Sequence, residues 1–209
     1  MKVRNNFDSI AKIYDKLSTL VFGKAMVNAQ TKFLSEIDEG ATILILGGGT
    51  GWLLAETLRA NLTSTIWYVE ASSSMMTLSK RKISPDEMNR VNFILGTEES
   101  IPAAIFFDVV ITPFYLDLFS NSYCHEVIQK IKSSLHPKSI WIVTDFVNTT
   151  WWHYGMLSLM YRFFEVTSHI EASKLPAWEL MLKRSGFNEV KSNQFYGGFI
   201  KSTLVRLKP

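Results

Sequence analysis

The sequence predicts an α/β fold: a doubly wound, seven-stranded, mostly parallel sheet with a terminal antiparallel hairpin and an N-terminal helical cap. Three observations predict it. Short apolar, β-branched runs alternate with segments of helical period from residue 42 to residue 146. The first of these runs, TILIL, empties into four glycines within five residues, Gly47, Gly48, Gly49 and Gly51. Two long strand-like runs close the chain with Gly197-Gly198 between them, the residues of a tight hairpin turn.

The elements follow in order. Phe7, Ile10, Ala11, Tyr14 and Leu17 share one helical face, and a second helix is expected near 24–36, so residues 1–40 form the cap. Residues 41–209 form the core, and the whole chain reads as one domain. Strand 42–47 leads to helix 51–60, strand 65–70 and helix 72–83. Pro85 and Asp86 break the chain before strand 91–95, and 96–105 is expected to be loop before strand 107–112. Helix 121–135 stops at His136-Pro137, and strand 140–146 follows. An apolar helix occupies 151–164. Another, 176–185, is closed by Gly186, before strands 187–196 and 199–207.

The glycine turn carries the functional argument. A strand, a glycine turn and a helix together point backbone N–H groups at a ligand. The next strand ends in Glu70, nineteen positions after Gly51, where a carboxylate can accept both hydroxyls of a ribose. A nucleoside-containing cofactor is predicted. The spacing argues against a dinucleotide, because the last position of G-x-G-x-x-G is Trp52 or Leu54, too bulky for close helix packing. A phosphate loop of the G-x-x-x-x-G-K-[ST] kind is absent from the sequence.

With G-x-G-x-G remaining, the chain resembles the class I S-adenosylmethionine-dependent methyltransferases over nearly its whole length, which implies a Rossmann-like core. Residues 8–20, DSIAKIYDKLSTL, resemble the cap of the branch that includes the ubiquinone/menaquinone-biosynthesis methyltransferases. Glu70-Ala71-Ser-Ser-Ser-Met75-Met resembles the family's acidic residue followed by a polar stretch and a Met. Phe107-Asp108-Val-Val-Ile resembles its fourth strand, and Leu135-His-Pro-Lys the turn before the fifth. The resemblance implies S-adenosylmethionine as cofactor, with S-adenosylhomocysteine as product. It implies a cofactor site made by Tyr14, Gly47, Gly48, Gly49, Gly51, Glu70, Ala71, Met75, Thr97, Glu98 and Thr112. Two departures stand out. Ile45 occupies the place where the family carries an acid for the cofactor's ammonium group. The Asp that holds the adenine amino group is replaced by Thr97, with Glu98 as the available substitute.

Composition narrows the class. A net charge of +3 without a dense basic patch argues against a nucleic acid partner. A single cysteine, Cys124, excludes an internal disulfide and a cysteine-based zinc cluster, and no metal site is expected. An apolar signal core is missing from the N-terminal residues, and the most apolar stretch, 101–119, is interrupted by Asp108 and Asp117. These features fit a cytoplasmic enzyme, monomeric or homodimeric, with a small-molecule substrate and no stable membrane insertion.

Methyl transfer needs orientation and a dry site more than a catalytic signature. Phe114 and Tyr115, after the fourth strand, are expected as aromatic pocket walls. The helix at 151–164 is apolar nearly all round, so Trp151, Trp152 and Met156 are expected to cover a partly lipophilic acceptor. Where a proton must leave, Asp117 and His153 are the candidate bases, ahead of Asp145. A non-catalytic module that binds an S-adenosyl ligand and an aminopropyltransferase are the alternatives. The second would need an Asp-rich segment after the fourth strand, where this chain has TPFYLD with one Asp.

Overall fold

The structure is a computed structural model, and it describes residues 20–168 and 174–208. Seven strands form one sheet: β1 (Thr42–Leu46), β2 (Thr65–Glu70), β3 (Val91–Leu95), β4 (Phe107–Pro113), β5 (Leu135–Phe146), β6 (Phe187–Phe195) and β7 (Ile200–Leu207). Their order is β3-β2-β1-β4-β5-β7-β6. All neighbours run parallel except β7, which is antiparallel to both β5 and β6. The order reverses between β1 and β4, so the crevice at their carboxyl ends is the switch point where such sheets take ligands.

Period-two alternation assigns the two faces. Ile43 and Ile45 of β1 pack with Leu53, Leu54 and Leu58 of α2 (Trp52–Ala60) and with Met76 of α3 (Ser73–Arg81). Leu44 and Leu46 point the other way, into a core shared with Cys124, Val127, Ile128 and Ile131 of α5 (Asn121–Lys132) and Leu182 of α7 (Trp178–Arg184). Ile45 is thus fully buried sheet core and offers no polar group to a ligand.

A third apolar cluster sits at the carboxyl ends of β4 and β5. It joins Met26 and Ala29 of α1 (Ala25–Thr31), Phe22, Phe114, Phe146, Phe199, Ile200 and Leu157 of α6 (Trp151–Ser168).

Three elements depart from expectation. Pro85 begins a one-turn helix, α4 (Pro85–Met88), because proline suits a first helical position and Ser84 and Glu87 form a reciprocal capping box. Helix α5 stops at Lys132, three residues early, because Leu135 pairs with Phe107 and so belongs to β5. Pro137 is accommodated in β5 where the β4–β5 register shifts. The second helix ends at Thr31 and is followed by a 3-10 turn at Leu34–Glu36. The first cap helix and Tyr14 lie outside the described residues.

Candidate active site

The four glycines serve different physical ends. A Cβ at Gly47 would collide with the Tyr115 ring, one at Gly48 with the Tyr68 ring, and one at Gly51 would lie 2.5 Å from the Ser79 Cα of α3. These three let neighbouring side chains and a helix close on the turn. Gly49 is different. Its φ is +64°, and a Cβ there would meet only Met75 Sδ, at 3.8 Å. Gly49 therefore presents bare backbone to open space beside a buried methionine, the surface that a ligand needs for close approach.

Glu70 ends β2 and is buried. One carboxylate oxygen accepts the Gly49 N–H at 2.9 Å and the other accepts the Ser72 N–H at 2.8 Å. The Tyr68 hydroxyl donates to the Gly49 carbonyl at 2.8 Å. The carboxylate thus fixes the turn from the end of β2. Glu70 is therefore both a ligand candidate and a structural anchor. Ala71 is exposed beside it, and Met75 is buried at the start of α3, whose N-terminus is capped by Ser72. Thr97, half-buried at the end of β3, caps the 3-10 turn at Glu98–Ser100.

Other expected positions are corrected. Glu98 is buried, and its two oxygens accept the hydroxyls of Tyr115 (2.7 Å) and Tyr123, so it is a joint beneath the turn and not an open acceptor for adenine. Thr112 is wholly buried and its hydroxyl accepts the Trp141 indole N–H at 2.9 Å, which makes it sheet core. Phe114 and Tyr115 do not wall one pocket. Phe114 adopts a left-handed backbone with φ of 50°, a conformation that costs an ordinary residue about 1–2 kcal/mol. The kink sends the two rings apart. Phe114 joins Phe146, with centroids 4.9 Å apart, while Tyr115 dives under Gly47 to reach Glu98. Burial, followed by the negative charge of Glu98, raises the Tyr115 hydroxyl far above its ordinary pKa.

Helix α6 is two-faced. Trp151 is 86% exposed and walls nothing among the described residues, whereas Trp152 and Met156 pack on the aromatic cluster. The hairpin turn, absent from the expected site, closes over this cluster: a Cβ at Gly197 would touch Trp152 at 3.0 Å, and Tyr196 packs edge-on against Phe22.

His153 is fully buried. Its Nδ1 accepts the Thr149 N–H at 3.1 Å, so a neutral ring carries its hydrogen on Nε2, which has no partner. The ring has no acceptor left, which removes His153 as a base and leaves it a donor. Asp117 and Asp145 form a buried pair. Asp145 Oδ2 accepts the Leu116 and Asp117 N–H groups at 2.9 and 3.3 Å, and Oδ1 accepts the Phe146 N–H at 2.8 Å. Burial pushes Asp117 up to about 7 and, reinforced by the Asp117 charge, pushes Asp145 well above the usual carboxylate range. No group of three or more metal-ligating side chains occurs among the described residues. Among them no helix is long and apolar enough to cross a membrane.

A doubly wound sheet in this order sets the glycine turn and the strand-end carboxylate at the switch point, where such sheets take ligands. The family comparison agrees. Residues 43–138 match the model described as a methyltransferase domain. Over that segment the chain is similar to methyltransferase domains, and the curated relatives it matches are O-methyltransferases. A malonyl-[acyl-carrier protein] O-methyltransferase of Priestia megaterium is 27% identical over 150 residues, 71% of this chain and 52% of the relative. The chain spans about half the length of the curated relatives it matches. In fold it is similar to the methyltransferase partner of a Haloferax volcanii Trm112 activator complex, with a TM-score of 0.73, 13% identity and full coverage of both chains. It is also similar to a Burkholderia thailandensis 1,6-didemethyltoxoflavin-N1-methyltransferase with bound S-adenosylhomocysteine. There the TM-score is 0.69 at 16% identity, over 97% of this chain and 86% of that one.

The residues present fit the cofactor. Gly49 leaves the backbone bare, Glu70 sets a buried carboxylate against it, and Met75 supplies an apolar surface beside them. Sequence reasoning missed the Tyr68 hydroxyl, the Tyr196–Phe199 turn and the three backbone donors on Asp145. Only the Gly197-Gly198 pair gave a signal, and it marked a turn, not a site.

Proposed function

We propose that this chain transfers a methyl group from S-adenosylmethionine to a small, partly lipophilic acceptor. The observation that carries the reading is the aromatic cluster at the carboxyl ends of β4 and β5, built on Phe114, Phe146 and Phe199 and covered by Trp152 and Met156. It adjoins the glycine turn through the short Phe114–Tyr115 link, and it carries the unpartnered polar atoms of Asp117 and His153 on neighbouring elements. Apolar walls with a few polar groups are the makeup of a small-molecule site. The relatives' names span O- and N-methylation, consistent with an oxygen or nitrogen acceptor here. In this reading Glu70 holds the ribose, Gly49 gives backbone approach and Met75 lies against the adenine. The test is incubation with methyl-labelled cofactor and a metabolite extract, followed by mass spectrometry. Labelled small molecules are expected. Cofactor binding with no labelled product would instead support a non-catalytic binding module, and product only from the decarboxylated cofactor would support aminopropyl transfer.

A further inference from the structure

The two groups expected as bases stand in different places. Tyr161, two turns along α6 from His153, donates its hydroxyl to the Asp117 carbonyl at 3.3 Å. Eight residues of helix rise about 12 Å, so Asp117 and His153 serve opposite ends of the helix's inner face. His153 lies beside Phe199 and the hairpin turn. Asp117 lies two residues after Tyr115, whose ring touches the cofactor turn. Asp117 is 6% exposed, and its Oδ1 has no hydrogen-bond partner.

Resting on the methyl-transfer reading, we propose that Asp117, held against Asp145, accepts the proton of a neutral O–H or N–H acceptor, so that the substrate is a hydroxyl or amine compound and not a carboxylate. The geometry supplies the reasons. Three backbone N–H groups engage both oxygens of Asp145 and fix it, which makes Asp145 a positioning residue that fastens the Leu116–Asp117 turn to the end of β5. Asp117 Oδ1 is the oxygen left to receive a donor. Burial raises both carboxyls, Asp145 further than Asp117, so Asp117 is the member of the pair that takes up a proton near neutrality. The titratable groups that face the pair are Cys124 of α5 and Tyr161 of α6, both pushed upward by burial and then by the two Asp charges, the thiol to about 12. Among the described residues no cation pairs with either carboxyl. A carboxylate acceptor would add like charge to a dry, negative site. A neutral X–H adds none. As X forms its bond to the methyl carbon, the carbon–sulfur bond breaks and its electron pair stays on sulfur. The proton on X passes to Asp117, and the site loses one positive and one negative charge together.

The test has two arms on the full chain with S-adenosylhomocysteine or S-adenosylmethionine. Infrared difference spectra of the S-adenosylhomocysteine complex, titrated through neutrality, should show a buried carboxyl losing its proton, and phenol should perturb that band. Asp117→Asn should remove it. In turnover with phenol and with benzoate, methyl transfer is expected to phenol alone. Asp117→Asn should lower kcat/KM by about 10²–10⁴-fold and abolish the inflection near neutrality, with partial recovery in Asp117→Glu. An unchanged band and pH profile in Asp117→Asn, or preference for benzoate, would overturn the proposal. Failure of S-adenosylhomocysteine to bind at all would instead sink the methyl-transfer reading on which it rests.

Discussion

Replacing Asp117 by Asn should stabilise the protein, and by an amount that depends on pH. Burial raises the Asp117 carboxyl from 3.8 to about 7. Every tenfold weakening of an acid is worth about 1.4 kcal/mol, so the charged carboxylate costs roughly 4 kcal/mol in the fold. The sign follows from linkage. The folded value lies above the unfolded one, so the unfolded chain gives up the proton first. Stability from this group is fully present below about pH 4, falls as pH rises to about 7, and is level above that. Asp117→Asn removes the ionisation and keeps the shape. At pH 8 it should be about 2–4 kcal/mol more stable than wild type, since the buried amide keeps an unsatisfied polar atom. For a chain of this length that is a rise in Tm of about 4–16 °C. At pH 4 the two should be nearly equal. Urea unfolding of both proteins across this pH range measures the difference directly. Parallel stability curves for wild type and Asp117→Asn would show that Asp117 carries no such cost, because a residue that ionises at its ordinary pKa has no burial penalty to relieve. A variant that gains stability while losing turnover would also separate a site residue from a scaffold residue.

Three further outcomes are expected. Glu70→Ala should lower both stability and S-adenosylhomocysteine affinity, since two backbone N–H groups lose a charged acceptor worth about 1.5–3 kcal/mol each. Urea midpoints and calorimetry on the same samples check it. Gly48→Ala should destabilise by about 1–3 kcal/mol through overlap with Tyr68, while Gly49→Ala, with open space above it, should cost about 1–2 kcal/mol and lose cofactor affinity. An equal loss of cofactor affinity in the two variants would contradict the division of roles. Trp151→Ala should change stability by less than about 0.5 kcal/mol and leave turnover intact, whereas Trp152→Ala should cost about 3 kcal/mol, as thermal unfolding would report.

The fold was legible because its signals are local. Ile43, Leu44, Ile45 and Leu46 mark a strand buried on both faces, and the glycines that follow mark its end. Misreadings arose where one residue type serves two ends. Pro85 breaks helices in general but starts one when a capping Ser precedes it. Leu135 continues a helical pattern, yet its pairing with Phe107 is a long-range fact. The cofactor turn was legible in part: Gly49 and Glu70 sit where the spacing put them, but their mutual hydrogen bond depends on a chain reversal of 21 residues. The acceptor side was less legible. One left-handed residue, Phe114, decides that Tyr115 goes under the turn and not into the pocket, and a phenylalanine gives no notice of such a conformation. The protonation roles of His153 and Asp117 depend on Thr149 and Asp145, whose backbone and side-chain contacts exist only after folding.

In the proposed function the Gly47–Gly51 turn and Glu70 form an S-adenosylmethionine site. Isothermal titration with S-adenosylhomocysteine, NAD and ATP tests it most directly. A saturable one-to-one heat is expected with S-adenosylhomocysteine, weakened in Gly49→Ala, with much weaker binding of the other two. Absence of heat at millimolar S-adenosylhomocysteine, or a preference for NAD, would contradict it.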